Sequence, residues 1–370
     1  MSGGVQGPQG PRAALWRGLG NPDLLIVAGA LLLAALSLAG LQWMFTSGRF
    51  TVVPEERFLR TPRDDWGHVS WQVGSLKREP PKETAVYLLG GSNVRECIES
   101  AGGLEKAIQQ DAGMATSVHD LGSTEQHFGE SMAIVDNLPG TPGVVLIGVN
   151  QTRFQYSPAA VAEQLQGREL LLRSPALRGA LLDTADRGRW QISILPGIMN
   201  HISGWLDKNK RTLARGRLPY NRYQEHRYHQ GQIWSDELKR SKVELWTSTM
   251  GRPGGDFEQN VAFNEALLEE MVKLARDRGL TPVLLEVPEN REIVGDSFAP
   301  YKAVYQPFCR DLAARYGGAY LDFNDDIGLV NDDFRDLTHL VESGRAKWEP
   351  ALSKALVPTL QGTNEGGTGQ

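Results

Sequence analysis

Val86-Tyr87-Leu88-Leu89-Gly90-Gly91-Ser92-Asn93-Val94-Arg95-Glu96-Cys97-Ile98 is the stretch that decides the fold. Residues 85–89 are wholly apolar, which suits a parallel strand buried on both faces. Gly90-Gly91 then permits a sharp turn. Beyond it Val94, Cys97, Ile98 and Ala101 recur at helical spacing. Ser92 thus falls between a strand's carboxyl end and a helix's amino terminus, where a backbone N–H faces outward and negative charge is favoured. The position fits two roles, a nucleophile and a helix N-cap.

Working outward, further apolar runs cover residues 116–121, 143–147, 282–287 and 319–323, with helical patterns at 125–137, 257–278, 305–316 and 346–356. Five such strands with intervening helices predict an α/β fold with a doubly wound, mostly parallel five-stranded sheet over residues 85–358. The alternation stops between 151 and 255. This insertion interleaves Lys208, Lys210, Arg211, Arg215, Arg217, Arg222 and Arg227 with Trp205, Tyr220, Tyr223 and Tyr228. It suits a solvated helical subdomain, or a lid or docking surface. Residues 361–370 have the composition of an unstructured tail.

The N-terminal region differs in kind. Residues 1–22 are rich in Gly, Pro and Gln, carry Arg12 and Arg17, and predict a disordered leader. Residues 24–40 hold no charge and one polar residue, Ser37. Residues 23–45 therefore predict a helix in the lipid bilayer, with Trp43 at its interface. The two arginines place the leader in the cytoplasm and everything beyond Phe45 outside, a single-pass inner-membrane topology. A cleaved signal peptide ending at Ser37-Leu38-Ala39 is the rival, against which the apolar run continues past Ala39. Residues 46–84 read as a stalk packed on the main domain. In the 370-residue chain a net charge of −5 gives no sign of nucleic-acid binding. Two cysteines, Cys97 and Cys309, make no disulfide scaffold and suit apolar packing.

Ligands of such a sheet bind beyond the strands' carboxyl ends. Ser92, Gly122 and Asn150 fall at the ends of strands one, two and three. Asp336-Leu337-Thr338-His339 precedes the last helix, and an Asp three residues before a His can orient its ring toward a serine. The expected catalytic set is Ser92, Asp336 and His339. The oxyanion donors would be the N–H groups of Ser92 and Gly122 and the Asn150 amide. Singly, Gly122 suits a turn, Asn150 a strand-end cap and Asp336 with His339 a helix start. Arg95 and His127 are candidate substrate-binding residues of the crevice; Arg95 also suits an exposed helix surface, and His127 a structural place. His226 and His229 with Glu225 mimic a metal pair, but no third ligand is evident, so no metal and no cofactor are expected.

The ordered set resembles the SGNH (GDSL-like) hydrolase superfamily, whose four blocks centre on Ser, Gly, Asn and His. By position Ser92 matches the nucleophile, Gly122 and Asn150 the oxyanion hole, and Asp336 and His339 the D-x-x-H pair. The first block here is Gly-Gly-Ser-Asn rather than Gly-Asp-Ser, and the third is Gly-Val-Asn-Gln rather than Gly-x-Asn-Asp. With an N-terminal span, Pro288-x-Asn290 and Asp-x-x-His-Leu, the chain looks more like the membrane-anchored branch similar to DltD and the alginate O-acetylation proteins. That resemblance implies a membrane-bound O-acyltransferase (MBOAT) partner, an envelope polysaccharide as acceptor and extracytoplasmic acyl transfer. A hydrolase with the same residues, and a non-catalytic scaffold for an MBOAT protein or polymer, are the other readings.

Overall fold

Five apolar runs become strands: β1 Thr84–Leu89, β2 Thr116–Asp120, β3 Gly143–Val149, β4 Leu280–Glu286 and β5 Ala319–Leu321. A computed structural model describes residues 22–167, 171–182, 195–224, 231–250 and 255–366 of the chain. Every strand pairing is parallel, in the order β2-β1-β3-β4-β5. Strand periodicity sends Ala85, Tyr87 and Leu89 into one core and Val86 and Leu88 into the other. That double burial is why β1 and β3 read as unbroken apolar runs.

The described helices of eight residues or more are α1 Pro22–Thr46, α2 Asp65–Arg78, α3 Ala101–Ala112, α4 Phe128–Val135, α5 Pro158–Gly167, α6 Pro175–Leu182, α7 Leu195–Ala214, α8 Asp236–Met250, α9 Asp256–Asp277, α10 Ala299–Arg315 and α11 Glu342–Gly366. α2, α4, α9 and α10 cover one face of the sheet through residues such as Val73, Met132, Met271 and Leu312. α3 and α11 cover the other through Leu104, Ile108, Trp348 and Leu352. The sheet is therefore wound on both sides.

Several boundaries differ from the sequence expectation. The helix starting at Ser92 is a single turn, Ser92–Arg95, and a second begins at Ala101 because the Ser100 hydroxyl accepts from Gly103 N at 3.0 Å. The closing helix runs through Gly366, so the expected tail is helical there. Leu352, Leu356 and Leu360 carry its buried stripe onward, and the Thr363 hydroxyl lies 3.3 Å from that of Thr281. Residues 367–370 and the leader up to residue 21 lie outside the described residues.

α1 contains one stretch long and apolar enough to cross a membrane, Leu25–Thr46, with a mean hydropathy of 2.2 and no buried share. The residues after it are part of the domain. Val69, Val73 and Leu76 of α2 enter the main core, and Phe45 of α1 joins Phe50, Phe58, Leu59, Leu171 and Ile198 in a third cluster. The insertion shares these cores through Val161, Leu177, Val243 and Met250, so its four described helices do not form a separate globule. Cys97 and Cys309 are free and buried in cores on opposite faces of the sheet.

At the carboxyl end of β4, burial pushes the Glu286 carboxyl up to about 7, even though Tyr305 and Tyr320 donate to it at 2.5 and 2.7 Å. A carboxyl held above its free value supplies stability below pH 4.5, which is lost as pH rises toward 7. Glu286→Gln has no such proton to lose. Relative to wild type, its unfolding free energy is expected to rise by on the order of 3 kcal/mol between pH 4.5 and 8. Paired denaturant titrations at the two pH values check this, and a pH-independent difference would refute it.

Candidate active site

β1 ends in Gly90-Gly91, and the chain turns so tightly that a Cβ at Gly90 or at Gly148 of β3 would overlap the Val94 side chain. Val94 thereby seats the one-turn helix directly on the sheet. Gly91, not Ser92, occupies the N-cap position, so the cap role considered for the serine is taken by a residue with no side chain. Ser92 is left with its hydroxyl free to reach across the sheet end.

That hydroxyl lies 2.8 Å from His339 Nε2. The other ring nitrogen, Nδ1, lies 2.8 and 2.9 Å from the two Asp336 oxygens, which fixes Nδ1 as the donor and Nε2 as the acceptor facing serine. Asp336 Oδ1 also accepts from the N–H groups of Thr338 and His339, at 2.9 and 3.0 Å. Burial opposes charge on this carboxylate, but the His339 hydrogen bond and charge and the two N–H donors outweigh it and hold it down to about 2. Two distant parts of the chain thus bring a serine, a histidine and an aspartate into one hydrogen-bonded row, the arrangement a nucleophile–base–orienter relay requires.

The expected oxyanion donors divide. Gly122 N–H is committed to Asp120 Oδ1 at 3.0 Å, in a turn closed by a carboxylate at the end of β2, so Gly122 is corrected from donor to turn residue. A Cβ there would press on Arg95 Cβ and Asp120 Oδ1, each at 3.1 Å, which explains the glycine. Asn150 caps a 3-10 turn with its Oδ1, accepting from Thr152 Oγ1 at 2.9 Å and Arg153 N at 3.2 Å. That fixes Oδ1 as the acceptor and leaves Nδ2 as the donor atom of its amide. Asn150 follows β3, the neighbour of β1 at the point where strand order reverses, and it shares that switch point with Ser92.

Two candidate binding residues are corrected. Arg95 is buried and pairs with Asp65 at 2.8 Å, because α2 folds against the one-turn helix and brings an acid to it. His127 is wholly buried and caps α4: its Nδ1 accepts from Glu130 N at 3.2 Å, and Glu130 Oε2 accepts from His127 N at 3.1 Å.

Sequence reasoning missed the residues that brace the site. Asn290 N donates to Leu337 O at 2.9 Å, and its amide donates to Asn331 Oδ1 at 2.8 Å, tying the end of β4 to the loop of Asp336. Lys239 of α8 reaches the same loop, donating to Asn331 Oδ1 at 2.7 Å and Phe334 O at 3.1 Å. Trp234 N donates to Arg335 O at 2.8 Å, so the insertion runs beside the histidine loop. Arg153, pulled down to about 9 by full burial, donates to Gly148 O and to Ser131 Oγ behind Asn150. Pro288-x-Asn290 was the one legible signal among these.

A cavity of about 500 Å³ lies between the segment after α1 and α7, lined by Arg60, Arg63, Asp64, Asp65, Trp66, Thr124 and Lys208. Among the described residues no cluster of three His, Cys, Asp or Glu could hold a metal. The pair His226 and His229, with Glu225, Arg227 and Tyr228, lies outside the described residues. The sequence matches no protein-family model and no curated protein, so the site is read from its own geometry.

Proposed function

We propose that this chain is an SGNH-type serine O-acyltransferase, anchored by α1 in the cytoplasmic membrane with its leader inside and its domain outside. The observation that carries the reading is the 2.8 Å contact between Ser92 Oγ and His339 Nε2, backed by Asp336. In the proposed reaction Ser92 Oγ attacks the donor's acyl carbonyl while its proton passes to His339 Nε2. The tetrahedral oxyanion is held by Ser92 N–H and the Asn150 amide. Its collapse breaks the bond to the donor's leaving group, which takes the proton from His339, and leaves an acyl-serine. An acceptor hydroxyl then loses its proton to His339, attacks the acyl-serine and regenerates Ser92.

The acceptor is proposed to be a cell-envelope polysaccharide and the acyl group acetyl, delivered by an MBOAT partner. Trp234 beside the histidine loop, and the aromatic and basic residues of the cavity next to Thr124, suit sugar rings and polar polymers. An esterase would use the same residues with water as acceptor, and a scaffold would use none of them.

The test is acetyl release from a chromogenic ester by the full chain in detergent or nanodiscs, with and without envelope glycans. Glycan-accelerated, Ser92-dependent turnover is expected. Fast hydrolysis indifferent to glycan would make it an esterase, and no Ser92-dependent turnover, also in membranes holding the partner, would leave the scaffold. The same preparation tests the anchor. The protein should stay with membranes in high salt, since apolar burial is not screened, and a soluble product starting near Gly40 would refute it.

A further inference from the structure

Ser92 and His339 are 247 residues apart in sequence, yet their side chains meet at 2.8 Å. Between the two carriers runs a line of charged side chains that the relay itself does not use. Asp65 of α2 pairs with Arg95 at 2.8 Å, Arg95 with Glu96 at 3.3 Å, Glu96 with Arg335 at 2.9 Å, and Arg335 faces Asp336 at 3.8 Å. Arg95 ends the one-turn helix that Ser92 begins, and Glu96 is its C-cap. Arg335 adjoins Asp336 and donates its N–H to His339 O at 2.9 Å.

Glu96 is the centre of the line. One carboxylate oxygen takes Arg95 and the other takes Arg335, and its side chain is only 3% exposed. A planar guanidinium fork suits such bridging where a flexible ammonium would not. Asp65 extends the line beyond the serine helix, since it also accepts from Thr124 Oγ1 at 2.7 Å and from Tyr223 OH at 3.1 Å. One carboxylate therefore joins α2, the serine helix, the loop after β2 and the insertion.

We infer that the Asp65–Arg95–Glu96–Arg335 line is a positioning device that sets the Ser92 helix against the Asp336–His339 loop, with Glu96–Arg335 as the coupling that fixes their separation. This deepens the acyl-transfer reading and rests on it for its chemical consequence. The residues are positioning residues, because none of them contacts the reacting hydroxyl. Removing Glu96 or Arg335 breaks the link of this line that crosses from helix to loop and lets the two move independently.

The experiment uses the full chain in nanodiscs and a fluorophosphonate probe, whose P–F bond breaks as an Oγ–P bond forms, with fluoride leaving and the serine proton passing to His339. Glu96→Gln and Arg335→Met are expected to slow Ser92 labelling more than tenfold, and Arg335→Lys to recover at least part of it. Arg278→Met, which breaks the Arg278–Asp136 pair on another part of the surface, should leave labelling unchanged. Amide hydrogen exchange is read in parallel. In Glu96→Gln, residues 333–341 should exchange at least tenfold faster while β4 does not change. Wild-type labelling rates in Glu96→Gln and Arg335→Met, or unchanged exchange in the loop, would overturn the inference. Absence of labelling in wild type would instead defeat the acyl-transfer reading and the positioning role with it, and the exchange data would still decide whether the line couples helix and loop.

Discussion

Ser92→Ala is expected to lower acyl turnover by about 10⁶-fold, the scale seen when the nucleophile of a hydrogen-bonded serine relay is removed. The side chain makes one side-chain hydrogen bond, to His339, and the turn is shaped by Gly90, Gly91 and Val94, so the fold should be unaffected. Its unfolding free energy is expected to stay within ~0.5 kcal/mol of wild type. Steady-state turnover and covalent labelling, with unfolding followed in parallel, check the result. Residual turnover within tenfold of wild type would place the nucleophile elsewhere.

Asp336→Asn should cost about 10⁴ in turnover, because an amide beside Nδ1 no longer enforces the tautomer that leaves Nε2 free to accept the serine proton. The same variant carries a separate thermodynamic signature. The Asp336 carboxyl lies at about 2 in the folded protein against an ordinary value of 3.8. A depressed carboxyl contributes stability above its unfolded value, here about 2 kcal/mol, and that contribution is lost as pH falls from 3.8 toward 2. The variant should therefore be less stable than wild type near neutrality, and the deficit should shrink below pH 3.8. Turnover and acid-unfolding curves read these effects independently. Equal turnover would remove Asp336 from the relay, and a deficit constant with pH would show that its charge is not what stabilises the loop.

What was legible in the sequence was local. Apolar runs doubly buried in β1 and β3, the Gly90-Gly91 turn and Asp336 three residues before His339 each encode their geometry within a few residues. What was illegible depends on partners brought in by folding. Arg95 looks like a surface residue until α2 places Asp65 against it, and Gly122 looks like an open donor until the Asp120 side chain turns back on it. Glu96 and Arg335 are separated by 239 positions, and no spacing rule connects them. The segment before β1 reads as a stalk, with no helix announced, because only one stripe of α2 faces the core, and Val69, Val73 and Leu76 are too few to mark it.

Phe45, at the end of α1, stacks on Phe50 at 4.7 Å, and Phe50 meets Phe58 at 5.1 Å, which in turn lies 4.4 Å from the ring of His201 on α7. A flexible tether of the length of residues 46–84 would let the domain roam over about 35 Å. This row of rings packs the segment onto the domain in place of a leash. The height and bearing of the Ser92 opening above the end of α1 are then fixed by packing. On the proposed acyl-transfer reading, a donor or acceptor would have to be brought to that one standoff, and the spacing of a docked partner, rather than the reach of the domain, would set which acceptor hydroxyl meets the serine.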